Sequence, residues 1–309
     1  MQEGIRYRKL GYVALNVSDV ARSAPFYRDT VGLDLVEEAA DVAFLRCGED
    51  HHDVALYRSA TPGLKRIGWE VEDDDALERA VALFTDAGLG PEEVSDEECG
   101  RLRQGRTVRV REPASGLCME FYNAMTILPA PYAPPHAKIA RLGHIVIWSA
   151  DYPATLRFAT ETLNFKVSDH FGDKLTFTRC FPNPFHHSFA IGNGDDNRLH
   201  HVNFMVSDLD DIGTSLHRLE RDGAEIVYGP GRHPPSGSVF LYYLDPDGLS
   251  LEYSYGMEEF PEVGARKPRL FDPVPSSLDY WSSPRSDRFG AGGIIEQPDQ
   301  SRPRASAAE

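Results

Sequence analysis

The sequence predicts an α+β fold built from tandem, paired βαβββ modules and followed by a C-terminal tail. Two observations lead to this prediction. The chain contains an internal duplication, and each copy alternates short apolar strand patterns with two amphipathic helix patterns. Because a repeated series of elements defines the repeated structural unit, the two halves are expected to form two similar domains.

The duplication is most visible in two opening strands, KLGYVALN at 9–16 and RLGHIVIW at 141–148. Anchor residues further along keep the same order and the same spacing in both copies. One pair is separated by 108 residues and a second pair by 14 in each copy (Tyr12–Glu120 and His144–Glu252; His52–Arg66 and His187–His201). Chance similarity does not produce such agreement, so we interpret the chain as a duplicated one.

Each copy shows one order of elements. An apolar strand leads into a helix that begins near Asp19 or Asp151, both typical caps. A strand pair with a His-His stretch follows, and a further strand leads into a second helix. That helix ends at Gly88 or Gly223, the usual C-terminal position of glycine. Two last strands meet at a turn, so the unit is βαβββ and comes in pairs.

These patterns divide the chain into four parts. We predict a first domain over residues 1–126, a Pro-rich linker over 127–138, a second domain over 139–262 and an extension over 263–309. The end of the extension, DQSRPRASAAE, is rich in polar and small residues and is predicted to be disordered.

Composition excludes several classes of function. Of 309 residues, 41% are hydrophobic and 26% are charged, which is typical of a soluble globular protein. The net charge of −16 disfavours binding to nucleic acid or to an anionic membrane. No run of about 18 apolar residues and no apolar leader is present, and the four cysteines form no CxxC pair. We therefore expect a cytoplasmic protein with reduced thiols.

Three chemically active residues occupy apolar strands of the second copy: His144, His201 and Glu252. A single strand histidine is more often an ordinary core residue, but a buried glutamate needs a partner. Two imidazoles and one carboxylate form the facial triad of non-haem Fe(II) oxygenases, which leaves open positions on one side of the metal. Strand alternation would turn all three side chains toward one face of the sheet.

Paired βαβββ modules with strand-borne ligands resemble the vicinal oxygen chelate superfamily. More closely, the chain is similar to the type I extradiol ring-cleaving dioxygenases, the family of catechol 2,3-dioxygenase and 2,3-dihydroxybiphenyl dioxygenase, over about residues 6–256. The resemblance implies extradiol (meta) cleavage of a catechol-type diol by O₂ in aromatic-compound catabolism. It also implies one Fe(II) per chain, or Mn(II), and a homo-oligomer, and it selects His201 rather than His200 as the ligand.

The resemblance implies roles for three further residues. His187 matches the family's histidine that acts as acid and base toward oxygen and substrate. His233 and Tyr242 match groups that hydrogen-bond the catechol oxygens and help to remove a proton. Tyr242 lies ten residues before Glu252, so both are expected on one face across a turn.

Substrate-pocket candidates are Val146, Phe177 and His200. Val146 is apolar, as in the biphenyl-type enzymes, whereas the homoprotocatechuate-type enzymes carry asparagine there. At the position of Tyr228 those enzymes carry an arginine for a substrate carboxylate. Both departures argue against homoprotocatechuate as the substrate.

The first copy has Tyr12 and Arg66 where the second has His144 and His201, and it keeps Glu120. A permanent cation repels a metal dication, so we predict a degenerate first domain in which Arg66 pairs with Glu120, and one metal per chain. Two alternatives stay open: an isomerase of glyoxalase type, which would draw its ligands from both modules, and a non-catalytic protein that binds an aromatic ligand.

The extension contains the segment SSLDYWSSPRSDRFG, residues 276–290, which mixes aromatic residues with arginines. Two interpretations are equally compatible with this composition. The segment is either a lid over the active-site mouth or a surface or subunit-contact segment.

Overall fold

The computed structural model describes residues 4–298, so the predicted disordered end, 299–309, lies outside the described residues. The first half folds into eight strands and three helices. In order these are β1 (Tyr7–Val17), α1 (Val20–Pro25), β2 (Asp34–Glu38), β3 (Val42–Arg46), β4 (Val54–Arg58), β5 (Gly63–Val71), α2 (Asp74–Asp86), β6 (Glu92–Glu93), α3 (Asp96–Leu102), β7 (Thr107–Arg111) and β8 (Cys118–Tyr122). Helix α1 continues as a π-helical segment, Phe26–Val31.

The second half repeats this series without a counterpart of α3. Its elements are β9 (Ile139–Ser149), α4 (Tyr152–Arg157), β10 (Lys166–Phe171), β11 (Leu175–Arg179), β12 (Phe189–Asn193), β13 (Arg198–Val206), α5 (Asp210–Arg221), β14 (Ile226–Arg232), β15 (Val239–Leu244) and β16 (Ser250–Tyr255). Helix α4 also runs on as a π-helical segment, Phe158–Thr162. Within residues 4–298, no helix combines the length and the apolar composition that crossing a membrane requires.

Both halves share one strand order. The first sheet runs β2-β3-β4-β1-β5-β8-β7-β6, and the second runs β10-β11-β12-β9-β13-β16-β15-β14. The opening strands β1 and β9 pair in parallel with β4 and β12, and antiparallel with β5 and β13. This arrangement is the predicted α+β fold of paired βαβββ modules.

The extension packs on both halves. A short strand β17 (Arg269–Phe271) lies beside β10, and a single 3₁₀ turn covers Pro275–Ser277. Strand β18 (Ile294–Ile295) pairs with β5 of the first half and with β13 of the second. The extension therefore joins the two sheets along their central strands.

Local signals in the sequence account for the helix boundaries. The carboxylates of Asp19 and Asp151 accept hydrogen bonds from backbone amides in the first turns of α1 and α4, as expected of N-caps. Gly88 and Gly223 follow α2 and α5 in the left-handed conformation, with φ of 69° and 79°. The His-His stretch, expected with the strand pair, lies in the connection: His187 precedes β12. Pro182 and Pro184 in this connection have no backbone N–H to donate to a neighbouring strand.

One continuous apolar core fills the helix-facing side of both sheets. Aromatic rings from the two halves meet in it: the centroid of Phe165 lies 5.2 Å from that of Tyr7 and 4.8 Å from that of Trp69. On β9, Ile145 and Ile147 belong to this core. Because side chains alternate along a strand, residues 144 and 146 are directed to the opposite face, where the candidate site lies.

Candidate metal centre

Three neighbouring strands of the second half each contribute one predicted ligand. His144 lies on β9, His201 on β13 and Glu252 on β16, and β13 pairs with both of the other strands. All three side chains are buried, with relative exposures of 2%, 5% and 1%. The strand order alone brings together residues that are 57 and 51 positions apart in the chain.

The three donor atoms form a nearly equilateral triangle. The Nε2 atoms of His144 and His201 are 3.1 Å apart, and Oε2 of Glu252 lies 3.0 and 3.2 Å from them. An octahedral metal with bonds of about 2.1 Å has ligand atoms about 3 Å apart along each edge. The triangle therefore has the dimensions of one octahedral face.

The charges of these groups suit a divalent cation. Burial lowers the pKa of His144 to about 4, so its imidazole is neutral and has a lone pair to offer. Burial favours the neutral acid at Glu252, but the imidazoles beside it hold its pKa well below the usual range. Among residues 4–298, no group donates a well-directed hydrogen bond to either oxygen of Glu252. A buried carboxylate in this state needs a cation, so the donor set fits a metal.

His187 lies directly beside the triangle. Its ring centroid is 4.0 Å from that of His144, and the ring of Phe177 lies 5.0 Å away on another side. Burial and the neighbouring histidines lower the pKa of His187 well below its ordinary value. Its Nδ1 is 3.0 Å from Nδ1 of His186, so the ring is held by its sequence neighbour.

His233 and Tyr242 form a second polar group at the site. Tyr242 on β15 is directly opposite Glu252 on β16, as the ten-residue spacing predicts. The Tyr242 hydroxyl is 3.0 Å from Nε2 of His233, and that nitrogen is 3.8 Å from Oε1 of Glu252. Nδ1 of His233 is 2.6 Å from the backbone carbonyl of Leu278 in the extension. Burial and the charge of Glu252 raise the pKa of Tyr242 well above its ordinary value.

The pocket candidates occupy different positions around the site. Val146 is buried and pairs with His201 across β9 and β13, while Phe177 is half-buried beside His187. His200 contacts the predicted metal ligand His201, with the Nδ1 atoms of the two rings 2.6 Å apart. It packs there between the rings of Trp148 and Phe289.

Phe289 is a neighbour of the site that sequence reasoning did not single out. Its ring centroid is 4.5 Å from that of Tyr242 and 5.2 Å from that of Tyr228. It comes from the extension, 37 positions after the last ligand, where neither strand periodicity nor the repeat gives a register. The mixed aromatic and basic composition of residues 276–290 was the available signal.

The matching face of the first half holds an ion-pair cluster. Nε of Arg66 donates a hydrogen bond of 2.8 Å to the Tyr12 hydroxyl and lies 3.1 Å from Oε1 of Glu120, which confirms the predicted pair. The Tyr12 hydroxyl also donates to Glu120. Arg109, which sequence reasoning missed, adds a second guanidinium on the same carboxylate. Arg109 is opposite Glu120 just as Tyr242 is opposite Glu252.

A second group of potential ligands lies behind His187: Asp169, His186 and Glu258. Both carboxylates are already engaged by guanidinium groups of the extension. Arg266 bridges Asp169 and Glu258 at 2.9 and 2.6 Å, and Arg269 contacts the same two residues at 2.6 and 3.3 Å. Two fixed cations balance two carboxylates, so this cluster is an ion-pair network and not a cation site.

Comparison with known proteins places this geometry in context. The model of the family described as Glyoxalase/Bleomycin resistance protein/Dioxygenase superfamily matches residues 9–121 and 141–253, once in each half. The chain is similar to biphenyl-2,3-diol 1,2-dioxygenase of Sphingomonas paucimobilis, with 23% identity over 82% of this chain and 89% of that relative. It is also similar to a manganese-dependent 2,3-dihydroxybiphenyl 1,2-dioxygenase of Geobacillus genomosp. 3, with 27% identity over 80% and 85%.

Solved structures share the fold over almost the whole chain. A halotolerant catechol dioxygenase superposes with a TM-score of 0.84 and 23% identity, covering 94% of this chain and 99% of that one. A Mn(II)-bound glyoxalase from Novosphingobium aromaticivorans gives 0.79 and 27%, covering 95% of each. These comparisons confirm the predicted fold class and the resemblance to extradiol dioxygenases, and both named relatives are dioxygenases, in agreement with the prediction of such an enzyme.

Proposed function

Because the chain belongs to the Glyoxalase/Bleomycin resistance protein/Dioxygenase superfamily through a module in each half, we propose that it cleaves a catechol-type ring with O₂ at one Fe(II) or Mn(II) ion. The observation that carries this proposal is the combination found in the second half. A complete His-His-Glu triangle lies within contact distance of His187 on one side and of Tyr242 and His233 on another.

In this proposal His144, His201 and Glu252 hold the metal. An ion bound there would supply a Lewis-acidic and redox-active centre for the diol and O₂. Neutral imidazoles and one carboxylate suit both Fe(II) and Mn(II), and a manganese-dependent relative shows that one member of the family uses Mn(II). The overall +1 charge of such a centre also favours an anionic diol over a neutral one.

Tyr242 and His233 then receive a proton from the diol. The carbonyl of Leu278 can only accept a hydrogen bond, so Nδ1 of His233 carries a hydrogen. A neutral His233 therefore presents an unprotonated Nε2 to the Tyr242 hydroxyl, 3.0 Å away. A catechol hydroxyl beside Tyr242 can therefore pass its proton through the Tyr242 hydroxyl to Nε2 of His233.

His187 takes the opposite side of the site and exchanges a proton with the reacting oxygen atoms. Val146, Phe177 and Phe289 surround the site with apolar surface, which excludes water and favours an aromatic ring with an apolar substituent. We further propose that the enzyme works as a homo-oligomer in aromatic catabolism, with a catecholic substrate and O₂ as its partners.

Anaerobic loading followed by oxygen uptake tests the proposal. The purified chain is loaded with Fe(II) or with Mn(II) and mixed with catechol, methylcatechols, a dihydroxybenzoate or 2,3-dihydroxybiphenyl before O₂ is admitted. We expect stoichiometric oxygen consumption and a yellow ring-opened product with at least one diol, and neither with the Glu252→Gln variant. Absence of ring cleavage with every diol and both metals would refute the proposal.

The Mn(II)-bound glyoxalase among the similar structures makes isomerisation the second candidate. An isomerase with ligands from both modules would need metal-binding groups in the first half, where Arg66 and Arg109 contact Glu120 instead. Incubation of the Mn(II)-loaded chain with the hemithioacetal of methylglyoxal and glutathione, without O₂, distinguishes the two reactions. We expect no thioester product.

A further inference from the structure

We infer that Asp169 and His186 are positioning residues for His187 and hold it in the tautomer that carries its hydrogen on Nδ1 and leaves Nε2 bare. This inference rests on the proposed function, because it assigns the resting state of the acid/base group. The three side chains form a continuous chain of contacts. Nε2 of His186 is 2.8 Å from Oδ2 of Asp169, and Nδ1 of His186 is 3.0 Å from Nδ1 of His187.

Asp169, at one end of these contacts, fixes which atom donates each hydrogen bond. Asp169 is fully buried and accepts hydrogen bonds from the guanidinium groups of Arg266 and Arg269 and from the backbone N–H of Arg269. Its carboxylate is thereby ionised and can only accept. Nε2 of His186 must then carry the hydrogen that joins the two residues.

This hydrogen on Nε2 of His186 determines where the hydrogens lie on both histidines. His186 is buried, and a neutral imidazole carries one hydrogen, so a hydrogen on its Nε2 leaves Nδ1 as an acceptor. The hydrogen between the two rings must therefore come from Nδ1 of His187. A neutral His187 has no hydrogen left for Nε2, which lies across the ring from His186.

Because Nε2 carries no hydrogen in the resting state, His187 first accepts a proton as a base and only afterwards donates it as an acid. In the proposed reaction Nε2 takes the proton of the second catechol hydroxyl, the one that does not face Tyr242, so that His187 becomes an imidazolium with both nitrogens protonated. It later returns that proton to an oxygen of the opening ring. With the other tautomer, Nε2 would already carry a hydrogen and could not accept the substrate's proton.

The described part of the first half contains the same arrangement without a metal triangle. Glu37, which the repeat aligns with Asp169, is 3.3 Å from Nε2 of His51, and Nδ1 of His51 is 3.1 Å from Nδ1 of His52. This copy has no ligand set to serve, so a substitution in it reports on packing alone. His51 is therefore the matched control for His186.

Nitrogen-15 spectroscopy of the full chain reads the tautomer directly. In the ¹⁵N-histidine-labelled, metal-free chain we expect an Nδ1–H tautomer for His187, assigned by its loss in His187→Phe. The His186→Leu variant should lose this tautomer, whereas His186→Gln, which can donate to Asp169 and accept from His187, should keep it. His51→Leu should leave the His187 signals unchanged. An Nε2–H tautomer in the parent chain overturns the inference, and this result needs no variant to fold.

Kinetics of the Fe(II)-loaded chain supply the second readout. We expect His186→Leu to lower kcat about 10–100-fold, the usual effect of losing a partner that orients an active-site group, with KM near that of the parent. His186→Gln should recover most of kcat, and His51→Leu should match the parent. Equal kcat in His186→Leu and His51→Leu, with only a loss of thermal stability, would reduce the network to a structural role. Parent protein that cleaves no diol would refute the proposed function, and the tautomer would still be measurable.

Discussion

In the first half Glu120 lies between two guanidinium groups, and in the second half Glu252 lies between two imidazoles. The strands that carry these carboxylates have the same order and the same pairing. Arginine supplies its own positive charge, so the carboxylate of the first half is neutralised within the protein. Neutral histidine supplies no positive charge, so the carboxylate of the second half still requires a cation. The same backbone arrangement thus gives an ion pair in one half and a candidate metal centre in the other, depending on the charge of the residues beside one glutamate.

The two faces also differ in what covers them. Helix α3 occurs only in the first half, and its Leu102 packs with Tyr12, Phe44 and Tyr122 over the ion pair. No such insertion lies at the corresponding place of the second half, between β14 and β15, and the extension reaches the second face instead, through Leu278 and Phe289. The first face is therefore closed by packed side chains, whereas the second is bordered by a separate segment.

The largest difference between the halves is expected in metal content. Glu252→Gln removes the one anionic ligand, so we expect it to abolish bound metal and ring cleavage together, as measured by elemental analysis and oxygen uptake. Glu120→Gln should leave about one equivalent of metal per chain and near-parental activity. Two tightly bound metals in the parent, or metal loss in Glu120→Gln, would contradict the assignment of one site per chain.

Glu120→Gln should instead affect stability. It leaves Arg66 and Arg109 close together without the carboxylate that balances them, and Arg66 is buried. Breaking a buried ion pair from one side costs about 3–5 kcal/mol, so chemical denaturation should show a loss of that order.

The next effect concerns His187, the proposed acid/base group. We expect His187→Phe to retain metal and catechol binding but to lower kcat by about 10²–10⁴, the usual contribution of general acid/base catalysis. His52 is buried at the corresponding place of the first half, beside Tyr12, and His52→Phe is the matched control. Equal rates in the His187 variant and the parent would remove this residue from the mechanism.

The sequence predicts most of this comparison because the repeat supplies the alignment. It groups His144, His201 and Glu252, which the structure brings together, it aligns Tyr12 and Arg66 with the two histidines, and it predicts the pairing of Arg66 with Glu120. Arg109 was missed because it lies eleven residues before Glu120, whereas Tyr242 lies ten before Glu252, and only the observed hairpin register shows that they correspond. Asp169 and Phe289 act through contacts made by the extension, which has no counterpart in the repeat and no periodicity to read.

A smaller difference is expected in the pH dependence of stability. Asp53 is buried where the second half has Ser188 in the matching His-His-X stretch, and burial, partly offset by Lys9, raises its pKa to about 6. Below about pH 4 this acid is protonated in both the folded and the unfolded state, so it does not affect stability. As pH rises from about 4 to about 6, only the unfolded state ionises freely and the fold loses stability. The total loss is about 3 kcal/mol by pH 7.

Asp53→Asn removes this ionisation and keeps an oxygen for the backbone N–H of Cys47, which Asp53 now accepts at 2.6 Å. Its free energy of unfolding, relative to the parent, should therefore rise by about 3 kcal/mol between pH 4 and pH 7. The exposed Asp41→Asn is the control and should show no such trend. A pH-independent difference for Asp53→Asn would mean that this carboxylate is not a destabilising one.

The smallest expected effect tests the segment 276–290, which borders only the second face. Phe289 is half-buried against Tyr242 and Tyr228, so an apolar substituent on the diol would meet its ring. We expect Phe289→Ala to raise KM about tenfold with kcat near the parent, because the lost contact is worth about 1.4 kcal/mol and is equal in ground and transition states. Trp281→Ala, in the same segment but half exposed, should leave KM unchanged. An unchanged KM for Phe289→Ala with an altered elution volume in size-exclusion chromatography would identify the segment as a subunit contact. The asymmetry between the halves would then lie in assembly rather than in substrate binding.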